Sequence, residues 1–156
     1  MAESLQDAIE HLTSLLRRTA TEHAPAIELI AGHIERVLRG GGTLYFAGNG
    51  GSAADAQHCA AEYVVRYARD RKALAAVAIG TDVAMLTAAG NDLGFERAFA
   101  RQVEGLVRAS DLLILHSTSG RSPNLVAAAR AAHANGAFVI ALLGRDGGAL
   151  RGLVDV

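Results

Sequence analysis

The sequence predicts an α/β fold in which helices cover both faces of a parallel sheet and two further helices precede it. Short apolar runs alternate along the chain with segments of helical periodicity, as they do in consecutive βαβ units. The apolar runs are hydrophobic at every position, as expected for strands that are buried on both faces of a sheet. A length of 156 residues, 51% of them hydrophobic, is that of a single globular domain.

The two leading helices are predicted over residues 4–20 and 24–39, where apolar residues recur at helical spacing. Residues 40–42 are three glycines, which end the second helix. Residues 1–40 lie outside the alternating pattern, so we expect their apolar faces to pack against helices of another subunit. The remainder of the chain, residues 41–156, is the predicted α/β core of the same domain.

The predicted core elements alternate regularly. Four strands are expected, at residues 44–47, 75–79, 112–116 and 138–143. Helices are expected at residues 52–69, 82–89, 95–107 and 122–135. This order places helical segments between each pair of consecutive strands. Residues 150–156 begin a further element, and their last four residues are typical of a strand that continues.

Composition excludes several classes of function. The net charge is −1 and aromatic residues make up 4% of the chain, with no tryptophan, so we expect no nucleic-acid partner and no base-stacking surface. No apolar run reaches the roughly 20 residues that span a bilayer, and the acidic N-terminus lacks a signal-peptide pattern, so no membrane partner is expected. Cys59 is the single cysteine, which favours a reducing, cytoplasmic compartment.

Two loops rich in glycine and hydroxyl groups each follow a strand and open a helix. They are residues 48–52, Gly-Asn-Gly-Gly-Ser, and residues 117–122, Ser-Thr-Ser-Gly-Arg-Ser. A helix N-terminus presents free N–H groups and the positive end of the helix dipole, which suit an anion. Glycines that only permit a tight turn, and hydroxyls that only cap a helix, are the alternative explanations. Because a cap needs one hydroxyl and the second loop carries four, the pattern favours a phosphorylated metabolite.

Polar residues on the helix after the first loop are candidates for chemistry. His58 and Glu62 are i, i+4 neighbours that share a face with Asp55. An imidazole and a carboxylate at this spacing can bind a divalent metal such as zinc, or Glu62 can be a general base. A solvated polar stripe has the same spacing, and two ligands alone do not complete a metal site. Asn91 and Asp92 fit either a turn that ends a helix or a pair of groups that bind sugar hydroxyls.

Taken together, these motifs resemble the sugar isomerase (SIS) domain family, and most of all its phosphoheptose isomerase branch. The segments that carry the resemblance appear in the family's order, at residues 47–52, 55–58 with Glu62, 90–94, 117–124 and 147–148. Members of that branch interconvert sedoheptulose 7-phosphate and D-glycero-D-manno-heptose 7-phosphate. The resemblance implies a three-layer, flavodoxin-like α/β/α sandwich, a homotetramer and active sites between subunits.

The resemblance also implies a role for each motif. The phosphate would be held by Ser117, Thr118, Ser119 and Ser122, the sugar chain near its reacting end by Asn49, Gly50, Gly51 and Ser52, and its hydroxyls by Asn91 and Asp92. His58 and Glu62 would bind one zinc ion per subunit. Glu62 would also contact the substrate and move a proton between neighbouring carbons through an enediol. Family members continue into a strand and a helix whose glutamine and histidine complete the site, so this chain is expected to lack that C-terminal part.

Functions from other classes stay open at this point. A non-catalytic SIS scaffold that binds the replication initiator DnaA needs neither His58 nor Glu62, so the presence of both favours an enzyme, whereas the missing C-terminal segment favours a scaffold. A sugar-phosphate sensor would keep the second loop and tolerate the loss of Glu62. The enzyme interpretation predicts an aldose–ketose isomerase that supplies heptose for surface glycans such as lipopolysaccharide.

Overall fold

A four-stranded parallel sheet and six α-helices make up the computed structural model, which describes residues 4–156. The helices are α1 (Leu5–Glu22), α2 (Ala24–Arg39), α3 (Gly51–Val64), α4 (Val83–Asp92), α5 (Phe95–Leu106) and α6 (Pro123–Ala134). The strands are β1 (Leu44–Gly48), β2 (Ala76–Ala78), β3 (Leu112–Ser117) and β4 (Phe138–Leu143), and a 3₁₀ helix follows at Leu150–Gly152. The α/β class, the parallel sheet and the two leading helices are confirmed. Residues 1–3, part of the segment searched for a signal peptide, lie outside the described residues.

The strand order in the sheet is β2-β1-β3-β4, and every neighbouring pair is parallel. Leu44 of β1 is the register partner of Ala76 on one side and of Leu112 on the other. The chain therefore passes from β1 to one edge of the sheet and then continues on the opposite side of β1. This reversal creates a topological switch point between β1 and β3, the position at which open α/β sheets bind ligands.

Helices cover both faces of this sheet, which gives the three predicted layers. On one face, the ring of Phe46 in β1 stacks on the ring of Tyr63 in α3, with the centroids 5.8 Å apart. On the other face, Val103 of α5 and Leu125 of α6 pack in one cluster with Leu113 of β3. These three side chains are almost fully buried, and truncating such a leucine to alanine typically costs about 2–5 kcal/mol.

The described residues form two compact units, residues 4–33 and residues 34–156. In the first unit, α1 begins at a capping box in which Ser4 Oγ accepts the N–H of Asp7 at 3.1 Å and the Asp7 carboxylate accepts the N–H of Ser4 at 3.2 Å. The large apolar side chains of α1 are at least half exposed: Leu5, Ile9, Leu12, Leu15 and Leu16. No helix within residues 4–156 has the length and apolar character that a membrane span requires.

The helix predicted over residues 52–69 is shorter in the structure, because α3 ends at Val64. The guanidinium group of Arg71 donates hydrogen bonds to the carbonyls of Glu62 and Tyr63, each at 2.7 Å. These bonds satisfy carbonyls that the last turn of a helix leaves without a partner. The helix thus ends at these hydrogen bonds from Arg71, although the alanine-rich sequence favoured its continuation.

The helix predicted over residues 82–89 is longer in the structure, because α4 continues to Asp92. Asn91 and Asp92 therefore belong to the last turn of α4. The sequence pattern had instead placed them after the end of this helix. The break before the next helix falls at Gly94, whose φ of +86° is readily adopted only by glycine.

The last residues of the chain lie along the outer edge of β4. The N–H of Asp155 donates to the carbonyl of Val139 at 2.9 Å, and the carbonyl of Val156 accepts the N–H of Ala141 at 3.0 Å. These bonds resemble the start of a further parallel strand, although the segment is too short and irregular to be one.

Candidate functional site

The two predicted loops leave neighbouring strands side by side. Gly48, at the end of β1, is the register partner of His116 in β3. Residues 49–52 and 117–122 therefore extend from the same edge of the sheet, at the switch point between the two strands. The fold brings together two motifs that are far apart in sequence, at the position where such sheets bind ligands.

The first loop places an uncapped helix N-terminus at this edge. Gly50 occupies the N-cap position of α3 with φ +56°, a left-handed conformation that glycine adopts without strain. No side chain caps the helix there, and the turn is closed by the N–H of Ser52 on the carbonyl of Asn49 at 3.0 Å. Gly50 and Gly51 are exposed and Ser52 is half-buried. The N–H groups and the positive end of the α3 dipole thus face an accessible position.

The second loop presents another helix N-terminus in the same way. Ser122 is the N-cap residue of α6 and Pro123 follows it, yet the Ser122 hydroxyl makes no capping hydrogen bond. Thr118 is exposed, and Ser122 is half-buried. Capping therefore does not account for the Ser122 hydroxyl, which leaves it able to bind a ligand.

The other two serines shape the loop itself. The buried Ser117 hydroxyl accepts the N–H of Gly120 at 3.0 Å, and the Ser119 hydroxyl accepts the N–H of Arg121 at 3.3 Å. A hydroxyl that accepts one hydrogen bond can still donate its own proton. Arg121 also forms an ion pair with Asp146, in the loop that follows β4. The second loop is thus stabilised by hydrogen bonds within it and by an ion pair with the loop that follows β4.

An asparagine pair joins the two loops. Asn49 Nδ2 donates to Asn124 Oδ1 at 2.9 Å, and Asn124 Nδ2 donates to Asn49 Oδ1 at 2.8 Å. Asn124 is 2% exposed, and its Oδ1 also accepts the N–H of Leu125 at 3.0 Å. Asn49 is a predicted substrate-binding residue, whereas the sequence assigned Asn124 no role. Its sequence signals are its place in the segment 117–124 that carries the family resemblance and its position in the first turn of the helix after the hydroxyl-rich loop.

His58 and Glu62 lie on one face of α3, as predicted. His58 Nε2 is 3.8 Å from Glu62 Oε1, and the His58 side chain is 72% exposed against 30% for Glu62. The second carboxylate oxygen of Glu62, Oε2, is buried and has no hydrogen-bond partner. A buried polar atom without a partner is costly, so this oxygen is poised to meet a ligand or a proton.

Glu62 does not lie beside the two loops of its own chain. At 1.5 Å per residue, it is about 16 Å further along the axis of α3 than Gly51. His58 lies about 10 Å along the same axis by the same measure. The structure thus brings together the first loop and the second loop, but it separates both from the predicted base within one chain.

The fit of these residues to a metal ion is partial. His58 and Glu62 supply a nitrogen donor and an oxygen donor of the kind that zinc accepts. Within residues 4–156, however, no three His, Cys, Asp or Glu side chains are grouped to hold an ion. Burial, together with the carboxylates of Asp55 and Glu62, raises the pKa of the Cys59 thiol, which disfavours the thiolate form that binds metals.

His116 is a buried polar residue near the end of β3. Its Nε2 has no hydrogen-bond partner, and its ring meets Phe46 edge-on with the centroids 6.1 Å apart. Burial lowers the pKa of His116, an effect that the Asp55 carboxylate opposes. Burial therefore favours the neutral form of this imidazole.

Asn91 and Asp92 occupy a different position from the two loops. Both are exposed at the end of α4, and Asn91 Nδ2 donates to Asp92 Oδ1 at 2.7 Å. Asp92 lines a groove between α4 and α5. Asn49 and Ser122 line another groove together with Glu96, a residue that the sequence had not singled out.

Known proteins match this chain over most of its length. A sequence profile described as the SIS domain matches residues 9–144. The phosphoheptose isomerase of Roseiflexus sp. (strain RS-1) is 49% identical over 150 residues, which are 96% of this chain and 76% of the relative. The phosphoheptose isomerase of Geobacter metallireducens is 44% identical over 156 residues, which are all of this chain and 82% of the relative.

Solved structures agree with the sequence matches. A phosphoheptose isomerase from Francisella tularensis superposes with a TM-score of 0.86 at 35% identity, covering 99% of this chain and 83% of the other. The phosphoheptose isomerase of Neisseria gonorrhoeae gives a TM-score of 0.83 at 41% identity, covering 97% and 82%. Similarity at this level extends from the sheet to the loops at its edge.

Proposed function

The chain belongs to the SIS domain family, and we propose that it is an isomerase that converts sedoheptulose 7-phosphate to D-glycero-D-manno-heptose 7-phosphate. Relatives named phosphoheptose isomerase match this chain at 42–49% identity over 96–100% of its length. The observation that carries the proposal is the pair of helix N-termini, both without side-chain caps, that meet at the switch point of the sheet. Such a position suits the phosphate of a sugar phosphate.

Substrate binding begins at the second loop. The phosphate accepts hydrogen bonds from the hydroxyls of Thr118, Ser119 and Ser122 and lies at the positive end of the α6 dipole. The residues of the first loop, Asn49 to Ser52, bind the sugar chain nearer its reacting end. Asn91 and Asp92, at the end of α4, bind sugar hydroxyls as the substrate extends from the phosphate.

The chemical step moves one proton between two carbons. The Glu62 carboxylate takes a proton from C1 of the ketose, exchanges it with solvent and delivers a proton to C2, while a proton passes from the oxygen on C1 to the oxygen on C2. The carbonyl thereby moves from C2 to C1 through an enediol, and no atom is gained or lost. The unpartnered Oε2 of Glu62 supports this role, because an acceptor without a protein partner is available to a proton.

We propose that the active site is shared between copies of the chain in a homotetramer. The separation of about 16 Å along α3 between Gly51 and Glu62 supports this arrangement, because a neighbouring copy can supply the base that a chain's own loops lack. The exposed apolar side chains of α1 offer a surface for such assembly, since contiguous apolar patches mark interaction sites.

His58 and Glu62 are the proposed ligands of one zinc ion per subunit, with the other ligands supplied from outside the described residues. When bound, the ion stabilises negative charge on a substrate oxygen. Hydrogen-bond donors aimed at the same oxygen would stabilise that charge in the same way.

The cellular setting follows from the substrate. We propose that the enzyme works in the cytoplasm, where its single cysteine stays reduced. We further propose that its product is a precursor of the activated heptose used for lipopolysaccharide or another surface glycan.

The proposal is tested by incubating the chain with sedoheptulose 7-phosphate, with unphosphorylated sedoheptulose and with fructose 6-phosphate, each with and without zinc. Proton NMR monitors the conversion. Conversion of sedoheptulose 7-phosphate alone supports the proposal. Conversion of fructose 6-phosphate at an equal rate would replace the heptose with a broader substrate class. Binding without conversion of any sugar would favour a sensor.

A further inference from the structure

The reciprocal amide pair between Asn49 and Asn124 ties the sugar-binding loop to the phosphate-binding loop. Each amide donates one hydrogen bond to the other and accepts one from it, at 2.9 and 2.8 Å. Asn49 is half-buried and lines the groove beside Ser122, while Asn124 is 2% exposed. Asn124 also lines this groove, but with 2% of its surface exposed it offers a substrate far less area than Asn49 does.

We propose that Asn124 is a positioning residue that fixes the orientation of the Asn49 amide toward the sugar. This inference rests on the proposed function, because it assigns a means of recognition to the same substrate. The pair with Asn124 uses one N–H and one oxygen lone pair of the Asn49 amide. The other N–H donor and the other lone pair are the groups that we expect to meet the sugar.

The orientation is transmitted from the backbone of α6. An asparagine amide can exchange its oxygen and nitrogen by turning over, and both orientations often fit one site. The N–H of Leu125 donates to Asn124 Oδ1 at 3.0 Å, which requires an oxygen at that position. The nitrogen of Asn124 must then occupy the other position of its amide, and the Asn49 atom opposite that nitrogen must be an oxygen. One backbone N–H thus fixes both amides.

The consequence is a defined donor and acceptor at the substrate. Without Asn124, the Asn49 amide can turn over and rotate, so a sugar hydroxyl meets a mixture of donor and acceptor. Two sugars that differ in the placement of a hydroxyl and a carbonyl would then be distinguished less well. A purely structural role would instead lower stability and leave this distinction intact.

Asn135 provides a matched control for a structural role. Its Nδ2 donates to the carbonyls of Val103 and Val107, at 3.2 and 3.0 Å, where it joins the ends of α5 and α6. It is an asparagine with part-buried hydrogen bonds of similar number, but it lies at the opposite end of α6 from the loops. Asn135→Ala therefore reports the effect of losing such bonds on stability alone.

The experiment measures the Kd of sedoheptulose 7-phosphate and of inorganic phosphate for the wild type, Asn49→Ala, Asn124→Ala, Asn124→Asp, the double variant Asn49→Ala/Asn124→Ala, and Asn135→Ala. We expect Asn124→Ala to weaken sugar-phosphate binding about tenfold, as Asn49→Ala does, with the double variant within about twofold of either single variant. The Kd of inorganic phosphate should stay within about twofold in the alanine variants. The added negative charge of Asn124→Asp weakens binding of both ligands, so that variant is judged by the loss of sugar-phosphate binding beyond its loss of inorganic phosphate binding. Asn124→Asp retains the acceptor for Leu125 and the side-chain size, so it tests the donor even if the alanine variant does not fold.

Three results would overturn the inference. Unchanged sugar-phosphate binding in Asn124→Ala, or in the aspartate variant if only that one folds, would show that Asn49 is oriented without Asn124. Additive losses in the double variant would show that the two residues act separately. A parallel loss of inorganic phosphate binding in Asn124→Ala would assign Asn124 to loop folding. If the wild type itself does not bind sedoheptulose 7-phosphate, the proposed function fails and this inference fails with it.

Discussion

Glu62 lies one helical turn beyond His58 on α3, with its Oε1 3.8 Å from the imidazole Nε2 and its Oε2 buried without a partner. The pair is not a tight ion pair, because 3.8 Å exceeds the distance of a good hydrogen bond. One carboxylate oxygen thus faces a neighbouring imidazole while the other is held ready for a partner that the described residues do not supply.

Replacing Glu62 by glutamine should abolish turnover and retain substrate binding. The amide keeps the size of the carboxylate but cannot accept the carbon proton, and loss of a general base typically costs about 10²–10⁴ in rate. We expect kcat to fall by at least about 100-fold while the Kd of sedoheptulose 7-phosphate changes by less than roughly tenfold. The matched control is Glu104→Gln, on α5, where the carboxylate pairs with Arg97. Full turnover in Glu62→Gln would end the role of Glu62 as the base.

Removing the hydroxyls of Ser119 and Ser122 should weaken binding of the phosphate group. A hydrogen bond to a charged group contributes about 1.5–3 kcal/mol, so each alanine variant should raise the Kd of sedoheptulose 7-phosphate roughly 10- to 150-fold. Isothermal titration with inorganic phosphate should show a loss of the same size. Ser110→Ala, an exposed serine before β3, is the control. Phosphate affinity that is equal in all three variants would move the phosphate to another site.

Mixing two inactive variants should restore activity if the site is shared between copies. Glu62→Gln leaves the loops intact, and the double variant Ser119→Ala/Ser122→Ala leaves the base intact. A mixed oligomer contains some sites with a working loop from one copy and Glu62 from another, so we expect up to about a quarter of wild-type activity after subunit exchange. Activity that stays at the level of the unmixed variants would place the loops and the base of one site in the same chain.

The sequence predicted the parts of this fold that depend on local patterns. The strands, the two hydroxyl- and glycine-rich loops and the shared face of His58 and Glu62 all follow from periodicity and turn chemistry. The end of α3 could not be predicted in this way, because Arg71 ends the helix through a contact made after the chain has turned.

Contacts between residues far apart in the chain also could not be predicted from the sequence. The pairing of Asn49 with Asn124 depends on the adjacency of β1 and β3, which no local pattern states. The distance of Glu62 from the first loop, by contrast, follows from the predicted helix itself, because 11 residues of helix separate Glu62 from Gly51. Asn91 and Asp92 could be located only once α4 was seen to continue through them.

Introducing a side chain at Gly120 should distort the second loop. Gly120 has φ +62°, and a Cβ there would overlap the carbonyl oxygen of Gly147. We expect Gly120→Ala to lower the free energy of unfolding by at least about 2 kcal/mol and to weaken phosphate binding. Gly105→Ala is the control, because Gly105 lies in α5 with open space around it and should gain up to about 1 kcal/mol. Thermal unfolding of both variants distinguishes local strain from a general intolerance of alanine.

The most direct test of the central claim is proton NMR of sedoheptulose 7-phosphate in D₂O with the wild-type chain and with Glu62→Gln. If Glu62 carries the proton through an enediol, the wild type should form the aldoheptose 7-phosphate with solvent deuterium at C2, and the variant should form none. An aldoheptose produced by the wild type with no deuterium at C2 would show that the proton on the base does not exchange with solvent within one turnover, and the loss of turnover in Glu62→Gln would then carry the test. Equal deuterium incorporation by the wild type and the variant would contradict the assignment of Glu62.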